Sequence, residues 1–226
     1  NKWPPLESKS TVFYFQPAEK LSNQKPGKLK SFDEYVSDPN KPVPYTQGIY
    51  GSRNNEYVVE DQRFAARRPD VLYFQTDTLQ NDVTLTGRLH VNLFVSTTGT
   101  DADLIVKLID VLPDDEPTPN QYPGYIQFAG YQRMVRAEVF RGKFRNSYEK
   151  PQPFTPGKIE KVSFDLNEVA HKFLKGHRIM VQVQSSWFPI VDRNPQKFMK
   201  IPLAKASDFQ KATIRIYHDA VNPSNI

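Results

Sequence analysis

The sequence predicts an all-β fold, a jelly-roll sandwich of two mainly antiparallel sheets joined by long loops, and three observations predict it. First, Val83, Leu85, Gly87, Leu89, Val91, Leu93 and Val95 alternate with Thr84, Thr86, Arg88, His90 and Asn92, the period-two signature of a long strand with one buried face. Second, Leu104 to Leu112 is apolar on both parities, as expected of a central strand covered on each side. Third, no amphipathic stretch of helical length is present, while 19 prolines and 10 glycines punctuate the chain. Many strands between such turns build sandwiches or barrels, with one face of each sheet buried against the other. Long loops favour a jelly roll over a meander.

The elements follow in order. Thr11–Gln16 reads as a short strand and 23–30 as a loop. Pro39, Pro42 and Pro44 exclude a helix over 38–44, because each removes a donor and biases its predecessor to extended geometry. Strand 70–76 places Val71, Tyr73 and Gln75 on one side and Leu72 and Phe74 on the other. Within strand 83–95, Gly87 marks a bulge or bend. Pro113 to Pro117 closes the central strand as an acidic turn, and 133–140 alternates again. Val162, Phe164 and Leu166 share a face of the next strand. Asn167–Phe173 is expected to form a single helical turn ending at Lys175-Gly176. Ile179, Val181 and Val183 define another buried face, Ile214 and Ile216 a late strand, and a polar tail follows. The whole, 1–226, reads as one sandwich domain, with 1–60 a loop-rich covering segment and 61–226 the sandwich core.

Bulk composition excludes several functions. There are no cysteines among the 226 residues, which removes disulfides and thiolate metal sites. No apolar run approaches the roughly 18 residues of a membrane span. Net charge is +5, but Lys and Arg are scattered beside acids rather than gathered in the stripe that nucleic acid requires. Apolar residues make up 38% and aromatics 12%, so a modest core is built from large side chains. The chain begins at Asn1 without a charged-then-apolar leader, which suggests processing or an excised piece.

Catalytic constellations are missing. No serine has glycine two positions before it, as the nucleophile elbow of an α/β-hydrolase needs. Ser185-Ser186 sits at a strand end, where hydroxyls usually satisfy nearby backbone. The four histidines, His90, His171, His177 and His218, have no ligand spacing, and no zinc set exists. Asp101 and Asp103, after Gly99, read as a turn that bonds backbone donors; the segment is too short for a calcium loop. No catalytic residue, metal site or cofactor is expected. Asp61 beside Arg63 and Asp192 beside Arg193 are candidates for guanidinium–carboxylate locks on loops or an interface, or equally surface charge. Trp187-Phe188-Pro189 is an aromatic cluster suited to core or interdomain packing, or to a carbohydrate platform.

Taken in order, several stretches resemble one family: Asp61-Gln62-Arg63 with Arg68-Pro69-Asp70-Val71-Leu72; Ser96-Thr97-Thr98-Gly99-Thr100-Asp101-Ala102-Asp103; Lys107-Leu108-Ile109-Asp110-Val111; Gly176 to Val183; Ser185-Ser186-Trp187-Phe188-Pro189; and Asp192-Arg193-Asn194. Together they resemble the C-terminal domain of the X-Pro dipeptidyl-peptidase, cocaine esterase and α-amino-acid ester hydrolase family, which includes glutaryl acylase relatives. Asp38 to Tyr45 and 133–150 look most like the ester hydrolase and acylase branch. The resemblance implies a galactose-binding-like jelly roll that follows an α/β-hydrolase domain carrying the Ser-Asp-His triad, none of which falls in this chain. It implies that the partner is that catalytic domain, that the domain packs on it and closes part of its acyl pocket, and that Ile49 and Tyr50 stand at the pocket rim. Asp61, Arg63, Asp101, Asp103, Arg178, Trp187, Asp192 and Arg193 then become structural or interface residues. A homo-oligomer is compatible with the resemblance, as is a periplasmic or secreted parent; the compartment itself stays open. The alternative class is a carbohydrate-binding β-sandwich module, which needs a solvent-facing aromatic shelf.

Overall fold

The computed structural model describes residues 3–226. Ten strands carry the fold: β1 (Tyr14–Gln16), β2 (Lys20–Ser22), β3 (Phe32–Ser37), β4 (Val71–Gln75), β5 (Val83–Thr97), β6 (Asp103–Val111), β7 (Gln132–Arg141), β8 (Glu160–Phe173), β9 (Arg178–Gln184) and β10 (Ala212–Tyr217). One short helix, α1 (Arg63–Ala66), precedes β4. The strands form a six-stranded sheet, β1-β2-β4-β9-β6-β7, and a four-stranded sheet, β3-β10-β5-β8. Pairing is antiparallel throughout except between β2 and β4. From β4 onward the chain changes sheet at every connection except β6 to β7, so the two sheets are interwoven and the sandwich expected from the alternation is observed.

The main core lies between the sheets. It combines Leu89, Val91, Leu93 and Val95 of β5 and Ile214 and Ile216 of β10 with Leu104, Val106 and Leu108 of β6 and Ile179, Val181 and Val183 of β9. Phe15 stacks on Phe74 at 4.3 Å and Phe140 on Phe164 at 5.0 Å, offset aromatic contacts that add to the area they bury. Gly87 adopts φ +97°, and the β5–β8 register slips between Arg88 and Leu89. This is the irregularity that glycine permits, since a Cβ there would be strained.

β6 is buried along its whole length. Its inner face joins the main core. Its outer face, with Ile105, Lys107 and Ile109, lies under residues 43–65 and 186–191, which bring Val43, Tyr45, Tyr57, Ala65 and Trp187 against the sheet. The six-stranded sheet is thus covered on both faces, and the observed third layer is made of loops.

Four local expectations change. Residues 167–173 form no helical turn: β8 runs unbroken to Phe173, because every residue from Val83 to Arg88 pairs with this stretch and Val169 and Phe173 enter the core. Ladder hydrogen bonds and burial outweigh a helix too short to nucleate. The strand expected over 11–16 shrinks to β1, and β3, read from sequence only as part of a loop-rich region, pairs along its full length with β10. The polar tail is fastened down: Phe13 N–H donates to Ile226 O, Asn92 N–H to Asn225 O, and His218, Asp219 and Ser224 are buried.

Candidate interdomain surface

Residues 38–55 lie over the outer face of the large sheet as turns and loop, kept out of helix by three prolines, with Pro44 bridged to Phe188. Val43 and Tyr45 are stitched to the strand exit after β9. Val43 N–H donates to Ser186 Oγ at 2.8 Å, Phe188 N–H to Val43 O at 2.9 Å and Tyr45 N–H to Phe188 O at 2.9 Å. Both Glu60 carboxylate oxygens accept the Gln47 N–H at 3.1 Å. Tyr45 Oη accepts from Asn54 N–H at 3.3 Å. Between these anchors the loop 48–53 projects outward.

Ile49 on this loop is fully exposed and Tyr50 about half-exposed. Both line a cavity of about 570 Å³, with Pro44, Tyr45, Phe188 and Ile190 among its other walls. Gly48 is held close to the Tyr50 ring, which would stand 3.0 Å from a Cβ at this position. The lining contains no His, Asp, Glu or Lys. Such a wall can receive an apolar or aromatic group beside the polar side chains of Ser52 and Arg53, while the Thr46 hydroxyl is already donated to Gly48 O at 2.9 Å; it offers no general base.

A rigid support lies beneath. Trp187 is buried, meets the edge of Tyr57 at 5.5 Å and carries the Lys107 ammonium over its ring at 5.0 Å. Lys107 donates to Gln62 Oε1 at 2.9 Å, and Gln62 Nε2 donates to Glu60 O at 2.9 Å. Burial pulls the Lys107 ammonium down to about 7, against the opposing pull of Glu60. The same desolvation raises Glu60. Because Trp187 is buried, it forms no solvent-facing aromatic shelf. Phe188 is partly exposed, with the Arg193 guanidinium over its ring at 5.6 Å.

The other sequence candidates fall into separate groups. Arg63 Nε donates to Asp61 Oδ2 at 2.6 Å, while its Nη1 and Nη2 reach Ala129 O at 2.9 Å and Gln127 O at 3.2 Å. Asp61 Oδ1 also accepts the Gln132 N–H at 3.1 Å. This pair therefore ties α1 to the long loop before β7. Arg193 donates to Pro39 O at 2.8 Å and lies over Phe209 at 4.9 Å, pinning the turn that precedes Val43 and Tyr45. Asp192 instead pairs with Arg141. Asp101 accepts from Ala102 N–H at 2.9 Å and lies 3.6 Å from Lys143 Nζ; Asp103 accepts from Asn194 Nδ2 at 2.9 Å and lies 4.0 Å from Arg141 Nε. Burial lifts the Asp103 carboxyl to about 7. Arg178 stands apart at the opposite end of β9, beside Tyr73, Gln75 and Val111.

Sequence reasoning missed two groups. Lys107 interrupts the most apolar run of the chain, and that interruption was its available signal. Asp110 bridges His177 Nδ1 at 2.7 Å and His171 Nε2 at 2.9 Å, a contact between β6, β8 and the turn before β9 that no linear spacing announces. Ser185 and Ser186 are engaged structurally, with Tyr35 Oη at 2.6 Å and the Val43 N–H.

The family model described as "X-Pro dipeptidyl-peptidase C-terminal non-catalytic domain" matches residues 1–226. Cocaine esterase of Rhodococcus sp. (strain MB1 Bresler) is 34% identical over 197 residues, covering 87% of this chain and 32% of the esterase. An aminopeptidase structure from a marine sediment Thaumarchaeota archaeon superposes with a TM-score of 0.91 at 43% identity, covering 99% of this chain and 37% of that one. An α-amino acid ester hydrolase structure gives 0.88 at 41% identity, over 96% and 35%. A CocE/NonD family hydrolase from Staphylococcus aureus, at 17% identity and a TM-score of 0.63 over 99% and 36%, shares the fold. The chain spans about a third of the length of each of these relatives.

Proposed function

Because this chain belongs to the family of X-Pro dipeptidyl-peptidase C-terminal non-catalytic domains, we propose that it packs against an α/β-hydrolase catalytic domain of a larger parent and forms one wall of that enzyme's acyl pocket. The parent is then a serine hydrolase of esters, amides or X-Pro peptides, with its triad outside this chain. The observation that carries this reading is the 48–53 loop. A fully exposed Ile49 and a half-exposed Tyr50 flank an apolar cavity, above a base fixed by hydrogen bonds and a buried Trp187. Exposed apolar clusters on an ordered base mark surfaces that a partner covers. The relatives support the reading, since their names describe hydrolases and each is about three times as long as this chain.

Substitution in the full-length parent tests it. Ile49→Ala and Tyr50→Ala should raise KM and shift the ranking of acyl groups among p-nitrophenyl esters, with kcat for the acetyl ester within a few-fold of the parent's. An unchanged acyl ranking in both variants contradicts the pocket-wall role. The 226-residue chain alone should not turn over p-nitrophenyl acetate in a manner sensitive to a serine-directed covalent inhibitor; inhibitor-sensitive turnover would defeat the non-catalytic assignment.

A further inference from the structure

A second cleft opens where β7 and β8, the edge strands of the two sheets, come together. Its volume is about 430 Å³. Phe140 and Phe164, stacked at 5.0 Å and both buried, close its floor. A ligand therefore lies across the cleft and does not enter the core. Beside the floor stands Tyr148, 76% exposed, on the loop that follows β7. Its ring packs on Phe144 at 5.9 Å and meets Phe140 edge-on at 6.2 Å. The loop that carries it is clamped. The buried Arg145 side chain donates to Glu160 Oε2 at 2.7 Å, to Gln152 O at 2.9 Å and to Pro153 O at 2.8 Å. Ser147 Oγ accepts the Glu149 and Lys150 amides at 3.2 and 3.1 Å. Tyr148 is thus the fixed, solvent-facing aromatic shelf that Trp187 does not form. None of the residues lining the 48–53 cavity lines this cleft.

Polar groups share the cleft with the ring: Glu138, Asp165, His90 and Ser163. Asp165 takes His90 Nδ1 at 2.6 Å on one oxygen and Arg88 Nη1 at 3.3 Å on the other. The His90 hydrogen bond foremost holds its carboxyl below the ordinary range. Glu138 accepts the Val139 N–H at 2.9 Å and Asn167 Nδ2 at 3.2 Å, one on each oxygen. A carboxylate oxygen has two acceptor sites, so both groups are fixed in place and still have lone pairs for a ligand. We propose that this cleft is a binding site for a neutral mono- or disaccharide, with one pyranose ring on Tyr148 and its hydroxyls on Glu138 and Asp165. Each part of a sugar answers a feature of the site. The C–H face of a pyranose leaves water against the exposed aromatic ring. Its hydroxyls donate to ionised acceptors, which bind them more strongly than neutral ones do. Charge argues against a cation, because Arg88 already stands against Asp165. Size agrees: a cavity of about 150 Å³ admits one six-membered ring, so this cleft has room for about two. A shelf fixed in advance costs a ligand little ordering.

NMR titration of the 226-residue chain with cellobiose, maltose and lactose, and with choline as a cationic control, tests the proposal. At least one disaccharide should saturably shift the ring signals of Tyr148, Phe140 and His90 in the unsubstituted chain, and choline should leave them in place. Tyr148→Ala should weaken that disaccharide about tenfold or more, as loss of a central aromatic anchor does, whereas Tyr148→Phe keeps the ring face and should bind as the unsubstituted chain does. Glu138→Gln should weaken it severalfold. The absence of saturable shifts with all three disaccharides, shifts confined to residues outside the cleft, or an unaltered affinity in Tyr148→Ala would each overturn the site. Saturable choline shifts at the same rings without a disaccharide response would overturn the neutral ligand.

Discussion

Lys107 is the residue whose chemistry departs furthest from its ordinary state. It is fully buried, with a side-chain oxygen as its acceptor and an indole face beside it. Its folded-state value of about 7 lies below the ordinary 10.5 of a lysine. Between those two values the unfolded chain takes up a proton that the folded chain does not. Stability from this group therefore rises as pH increases from about 7 toward 10.5, and below 7 its charged burial is a constant cost. Asp103 acts in the opposite window. Its folded value of about 7 exceeds the ordinary 3.8, so its contribution falls as pH rises from about 4 to 7. Lys107→Met should flatten the upper limb of a stability–pH curve measured by urea unfolding, and Asp103→Asn the lower limb. Trp187→Ala, which empties the centre of the outer cluster, should cost about 3–5 kcal/mol in the same assay at pH 7.

At the scale of elements, legibility followed periodicity. β5 is readable because one face is buried and the alternation is written in aliphatic residues, and β9, although buried on both faces, is readable because Ile179, Val181 and Val183 alternate with Gln182 and Gln184. β6 is readable because both of its faces are buried. β3 is not, since its inward residues are Tyr35 and Ser37 while Val36 points to solvent, an inversion that only its pairing with β10 explains. The end of β8 departs from the helical turn its sequence predicts because Asn167, Glu168 and Ala170 lack strand propensity and the long partner β5 overrides them. The candidate surface was legible only in part. Ile49 and Tyr50 were named through resemblance rather than pattern, and the Asp61–Arg63 lock through adjacency, but its partners Gln127 and Ala129 lie over sixty residues away. That lock makes a specific prediction. Arg63→Ala should cost about 1–3 kcal/mol, the range for leaving part-buried acceptors unpaired. Amide exchange should accelerate over 118–131 while β6 and β9 keep their protection.

For the whole molecule, the interwoven sheets act as a rigid body with two dissimilar ends. One end carries the 48–53 loop, and the other carries the N-terminal segment, held by Ser8 against Thr86 and by Trp3 against Glu168. The third layer of loops over β6 gives the proposed docking face its stiffness, since Val43, Tyr45 and Phe188 are bonded to one another rather than to solvent. A partner that lands there meets a preformed wall and loses little in ordering it. Hydrogen exchange compared between the isolated 226-residue chain and the full-length parent measures this claim most directly. The account predicts that amides of 48–53 exchange markedly more slowly in the parent while those of β5 are unchanged; equal exchange of 48–53 in the two proteins would contradict it.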